Sequence, residues 1–219
     1  MELGKLVSLN VSLVELIPFG KKEVATGINK KPFAGALRLG RLGLPGDAQG
    51  DTVHHGGADK AVCVYTEVHF PYWTEKWGRP AIAASFGENF TVSALTEQSV
   101  CIGDVVSVGH ALLQVSQPRQ PCFKLGMKHG LPSLQQDVEE TGFTGFYFRV
   151  LEEGLVAQGD TLILRKRHEA GITVAEANRV MHQDKRGRDG IAKLLTVDAL
   201  SESWQHTLRR RLAALDSEA

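Results

Sequence analysis

Three short segments of this chain carry the residues able to do chemistry. The first contains a cysteine. Cys63 in AVCVY and Cys101 in VCIGD sit among apolar, strand-forming residues, where cysteine behaves as a small buried hydrophobe, so both are assigned to the core. Cys122 is different. It lies in QPRQPCFKLGMKHG, after Pro118 and Pro121 and among Arg119, Lys124, Lys128 and His129. The prolines remove backbone donors and resist regular pairing, which predicts a loop leaving the strand ALLQVSQ. Neighbouring positive charge favours the thiolate, the form that attacks electrophiles or binds a soft metal. The alternative is an ordinary loop thiol.

The second segment is DTVHHGGADKAV. On an extended stretch His54 and His55 point to opposite faces, which argues against a metal site built from the pair. Gly56 and Gly57 let backbone approach a ligand closely, and Lys60 brings a point charge suited to phosphate. The alternative is a hairpin turn with one histidine bonded to a carboxylate such as Asp51. The third segment, FGENFTV, places Glu88 and Asn89 just after a glycine turn. The Asn89 amide either caps that turn or reads a ligand's donor and acceptor edge. His54, His55, His69 and His129 show no zinc-like spacing, so metallohydrolase chemistry ranks last.

The elements that must position these residues are mostly strands. From Lys5 to about Arg167 the chain is rich in glycine and β-branched residues, with short runs such as VCIGDVVSV, ALLQVSQ, GFYFRVL and DTLILR. Glycine-aspartate pairs punctuate them as turn signals, and the pattern predicts a closed β-barrel. Two helices interrupt it. One is expected over 66–77, with Pro71 in its first turn and Gly78 as its stop, and the other near 133–140, ending before Gly142. From about His168 the segment is proline-free and helical in period. Thr173 and Glu176 fit a capping box, DKRGRDG breaks the run, and Trp204, Leu208, Leu212 and Leu215 form an apolar stripe. The expected division is a barrel over 1–167 and a three-helix unit over 168–219. The arginines at 209–211 read as a solvated helix face.

Composition narrows the function classes. The 219 residues carry 25 Lys plus Arg against 25 Asp plus Glu, so neither nucleic acid nor an anionic bilayer is an expected partner. The longest apolar run, Ala61–Tyr65, has five residues, far short of the roughly 20 that span a bilayer. The N-terminus lacks the apolar core of a secretory signal. With three cysteines a disulfide framework is not expected, and a reducing cytoplasm is.

Taken in order, KKPFAGALRLGRLGLPGDAQGD, HHGGADKAV, FGENF, IGDVVSVG, QPRQPC and TGFYFRVLEEG resemble the MOSC domain family, the molybdenum cofactor sulfurase C-terminal type, in its YiiM-type form with a three-helix extension. The resemblance implies a barrel related to that of pyruvate kinase, binding a molybdenum cofactor. Cys122 would be the metal ligand and, with His55, a catalytic residue. Lys31, Asp51, Lys60, Asn89 and Arg119 would line the pterin and phosphate sites. The implied reaction is reduction of an N-hydroxylated compound such as 6-hydroxylaminopurine. Since the cysteines cannot supply the thiolates of an iron-sulfur cluster, a flavin or iron-sulfur reductase would donate the electrons, with the helical extension a candidate for docking it. The rival readings are a sulfur carrier through a Cys122 persulfide and a non-catalytic cofactor carrier.

Overall fold

A computed structural model describes residues 1–217, the side chains of Val53 and His54 excepted. Alternation along the sequence produces its strands: β1 (Glu2–Val11), β2 (Glu15–Phe19), β3 (Lys22–Thr26), β4 (Lys31–Pro32), β5 (Ala36–Leu39), β6 (Val62–Thr66), β7 (Phe90–Val92), β8 (Val105–Val108), β9 (Ala111–Pro118), β10 (Phe146–Glu152), β11 (Gly154–Ala157) and β12 (Thr161–Lys166). Seven of them close a barrel in the order β12-β8-β9-β10-β6-β7-β1, with β1 returning to β12 and β4 added beyond β1. All pairings around the barrel are antiparallel except β6 with β7.

The barrel interior is filled by the branched and aromatic residues of these strands, among them Leu6, Val62, Val64, Phe90, Val106, Leu113, Val115, Phe146, Phe148 and Leu162. Because side chains alternate along a strand, Cys63 and Tyr65 turn to the other side of the β6 wall. There Tyr65, Trp73, Phe86, Leu125, Leu134 and Val138 make a second, smaller core under the helices. After the single turn α1 (Thr52–His55), those helices are α2 (Phe70–Trp77), α3 (Phe123–His129) and α4 (Leu134–Thr141). Pro71 lies in the first turn of α2, and Gly78 (φ 64°) and Gly142 (φ 71°) end α2 and α4 in the left-handed conformation, as their positions predict.

Two local expectations are corrected. The residues after Cys122 form a helix, α3, where a loop was expected. Pro118 and Pro121 precede this helix and therefore do not interrupt it, and Leu125 supplies a buried anchor. His54 and His55 sit on the helical turn α1, so alternation on an extended strand does not govern them.

Beyond the barrel come α5 (Val174–Asn178), a π-helical turn over Arg179–Gln183, α6 (Arg188–Leu195) and α7 (Glu202–Ser217). The Thr173–Glu176 capping box is present. These helices dock on the barrel: Val174, Ala177, Met181, Ile191, Leu194, Trp204 and Leu208 belong to the same apolar cluster as the barrel interior. Among the described residues no helix is long and apolar enough to cross a membrane.

Candidate functional site

A pocket opens on the outward side of the barrel wall where β6, β10 and the end of β9 lie side by side. Register places Tyr147 of β10 opposite both Cys63 of β6 and Gln117 of β9. Cys63 and Tyr147 therefore share one face of the wall, and both line the pocket. One residue past β9 comes Arg119, followed by Cys122 in extended conformation immediately ahead of α3, which adds Lys124. The opposite rim is backbone: Thr26–Ile28 at the end of β3 and the Ala48–Gly50 segment. An added Cβ at Gly27 would strike the Ala48 carbonyl, and one at Gly50 the Ala25 carbonyl, so only glycine lets these two segments interlock.

Charge in the pocket is one-sided. Lys30, Lys60, Arg119 and Lys124 line it, with no Asp or Glu among the lining residues. Lys30 is neutralised by a buried ion pair with Asp47. Lys124 Nζ donates to the Ala25 carbonyl at 3.2 Å. Arg119 is 7% exposed, and among the described residues its guanidinium makes no hydrogen bond or ion pair with the protein; it faces the pocket beside Cys63, Tyr147 and Cys122. Burying a charge without compensation costs several kcal/mol on the usual scale. This excess reaches His55, whose pKa falls from 6.5 to about 4 through burial first and then the charges of Lys124 and Arg119, with Asp51 opposing. His55 is neutral at pH 7. Burial likewise pushes the Cys63 thiol up and the Tyr147 phenol well above its ordinary value, so both keep their protons.

The polar residues of FGENF hold the wall. Glu88 is fully buried and its carboxylate accepts from Ala84 N (2.7 Å), Phe86 N (2.9 Å) and Thr91 Oγ1 (2.7 Å), which fixes the turn. Asn89 Oδ1 accepts from Cys63 N at 3.1 Å, while Nδ2 donates to Asn10 O at 3.3 Å and Asp47 Oδ2 at 2.9 Å. Asn89 thus ties Cys63 to the Lys30–Asp47 pair, and both its amide donors are spent on protein groups.

Of the residues expected from sequence, Cys122, His55, Lys60, Asn89 and Arg119 come together around this pocket. Asp51 stands behind it, its carbonyl accepting from His55 N at 3.0 Å. Lys31 is corrected: it is exposed on β4, outside the lining, whereas the preceding Lys30 turns inward to Asp47. Lys128 and His129 also leave the site, because Lys128 donates to the Ile28 and Ala84 carbonyls and His129 Nε2 meets the Ser85 carbonyl. Cys63, Lys30 and Tyr147 were not among the expected site residues, and Lys124 was expected only as a charge near Cys122. For Cys63 the signal was the alternation in AVCVY, which sets it on the face opposite Val62 and Val64.

Known proteins place this site in context. The MOSC domain model matches residues 51–163, and the model of the YiiM-like 3-alpha helix domain matches residues 172–215. The chain belongs to the MOSC domain family. YflK of Bacillus subtilis is 48% identical over 205 residues, 94% of this chain and 93% of that protein. YiiM of Escherichia coli is 35% identical, covering 94% and 91%. A protein of Gibberella moniliformis named a reductase is 33% identical over 163 residues, which are 73% of this chain and 29% of its own length. The crystal structure of YiiM from Geobacillus stearothermophilus superposes with a TM-score of 0.82 at 39% identity, covering 95% of this chain and 98% of that one.

Proposed function

We propose that the pocket binds a molybdenum cofactor and that the protein reduces N-hydroxylated compounds such as 6-hydroxylaminopurine, using electrons from a partner reductase. The observation that carries this reading is Arg119, buried without an acceptor beside the thiols of Cys63 and Cys122 in a pocket whose charged lining is all cationic. Such a site calls for an anionic ligand with an affinity for sulfur donors, which a phosphate-bearing metal cofactor provides.

In this reading Cys122, as thiolate, is the protein's ligand to the metal. Arg119, Lys60 and Lys124 hold the cofactor's anionic groups, and the glycine-tight rim at Gly27 and Gly50 lets backbone lie against it. When bound, the cofactor would supply the two-electron centre at which an N–O bond is reduced. The chain's own residues handle protons. Tyr147 and Cys63 keep theirs and serve as hydrogen-bond donors. Neutral His55 keeps one ring nitrogen as an acceptor, and an anion beside it would offset Lys124 and Arg119, raising its basicity toward neutral pH.

No second redox centre is offered by the three cysteines, so the electrons come from a flavin or iron-sulfur protein; the Gibberella moniliformis protein named a reductase, in which the similar stretch is 29% of the length, fits a barrel that works alongside a donor module. We take residues 1–167 as the catalytic barrel and 168–219 as its extension, acting in a reducing cytoplasm on a small-molecule substrate rather than on nucleic acid or a membrane.

The test is turnover of N-hydroxylated purines by cofactor-loaded protein with a small chemical reductant. The reading expects turnover that Cys122→Ser abolishes. Loaded protein that never turns over would make it a cofactor carrier, and a cyanide-labile sulfur on Cys122 in metal-free protein would make it a sulfur carrier.

A further inference from the structure

The loop that brings His55 and Lys60 to the pocket is held from outside by the helical extension. Asp59, next to Lys60, uses both carboxylate oxygens. Oδ1 accepts from Arg149 Nε at 3.0 Å and Nη2 at 2.6 Å, while Oδ2 accepts from the backbone N–H of Glu202 at 3.1 Å. Glu202 is the first residue of α7, so its N–H is one of the donors that a helix leaves without an internal partner. The same turn also grips β9. Ser201 N donates to the Ser116 carbonyl at 3.0 Å, Ser203 Oγ to Gln117 Oε1 at 3.4 Å, and Ser116 Oγ closes the triangle by donating to the Asp59 carbonyl at 2.5 Å. Two residues beyond Gln117 the chain reaches Arg119. The helix is a firm support, because Trp204 and Leu208 are buried in the core shared with the barrel.

We infer that the first turn of α7 is a brace for the anion pocket, and that Asp59 is the positioning residue through which the helical extension fixes Lys60 and His55 relative to Arg119. The inference rests on the pocket being an anion site. It gives the extension a task at the site itself, distinct from docking a reductase. Asp59 acts on Lys60 electrostatically as well. Burial lowers the Lys60 pKa, and Asp59 and then Asp51 oppose that. The other titratable and charged groups around Lys60 are His55, Arg119, Lys124 and the Lys30–Asp47 pair across the pocket, and Arg149, Asp198, Glu202, His206 and Arg209 across the groove facing α7.

Two variants of the full-length chain separate the brace from general stability. Glu202→Pro deletes the N–H that reaches Asp59, at a first-turn position where proline is well tolerated, and is read against Glu202→Ala, which loses the same carboxylate but keeps the N–H. Asp59→Asn keeps the shape and removes the charge. Sulfate, which does not titrate above pH 4, is the probe. Losing a hydrogen bond to a charged group predicts sulfate affinity about tenfold weaker in Glu202→Pro, with its pH dependence unchanged. In Asp59→Asn affinity falls and its alkaline limb also moves to lower pH, which a purely structural role for Asp59 would not produce. Amide exchange over residues 52–60 reads the brace without any ligand, and both variants are expected to exchange faster there than wild type. Unaltered exchange and affinity in both variants would overturn the inference. Faster exchange in a chain whose wild type binds no sulfate would retain the brace as a structural contact and overturn the anion reading.

Discussion

The fold treats buried charge in two opposite ways. Among the described residues the buried carboxylates Glu97, Asp104 and Glu88 are each saturated by donors. Glu97 meets His69 Nε2 at 2.8 Å with one oxygen and Gly145 N at 2.6 Å with the other. Asp104 accepts from Cys101 N and His168 N and pairs with Arg167. Glu88 takes three donors. At the pocket, Arg119 is also buried, at 7% exposure, and among the described residues its guanidinium has no such partner. A saturated charge is a device for holding corners and turns together, whereas an uncompensated one is a cost that a ligand relieves.

This contrast predicts mutational effects of opposite sign. Glu97→Ala strands His69 and the Gly145 N–H, and should lower unfolding free energy by roughly 3–5 kcal/mol, the usual range for breaking a buried pair. Denaturant titration measures it. Arg119→Met removes an unpaired buried charge, so the unliganded chain should unfold at the same or higher denaturant concentration while sulfate affinity drops at least about tenfold, as loss of a charge-assisted bond implies. A destabilised Arg119→Met protein would place Arg119 with the structural charges.

A smaller effect reports the same field through His55. Its imidazole should titrate near pH 4 in the free protein and at higher pH once an anion offsets Lys124 and Arg119, as NMR would show. Since the folded pKa lies below the ordinary 6.5, the unfolded chain binds the proton first as pH falls. The contribution of His55 to stability is therefore whole above pH 6.5 and is lost between there and pH 4. His55→Asn should flatten that part of the stability profile.

Much of this arrangement was legible in the sequence. Turn glycines, the Thr173–Glu176 capping box and the apolar stripe through Trp204 and Leu208 located the barrel and its helices, since each reflects local chemistry. Cys122, His55, Lys60 and Arg119 stood out because charge and thiol fell in turn-rich segments. Long-range pairing was not legible. Cys63 read as a core residue because it sits among the apolar residues of AVCVY, and the β6–β10 register is what sets it beside Tyr147 at the pocket. Lys31 drew attention over Lys30 because the Asp47 that pulls Lys30 inward lies 17 residues away. The helix at 123–129 was hidden by prolines that turned out to precede it.

The most direct test of the central claim is the molybdenum and pterin content of wild type, Cys122→Ser and Arg119→Met, each purified from a cofactor-competent host. Both components should be near stoichiometric in wild type, with metal lost and pterin partly kept in Cys122→Ser, and both lost in Arg119→Met. Equal loading of all three proteins, or none in any of them, would contradict the claim.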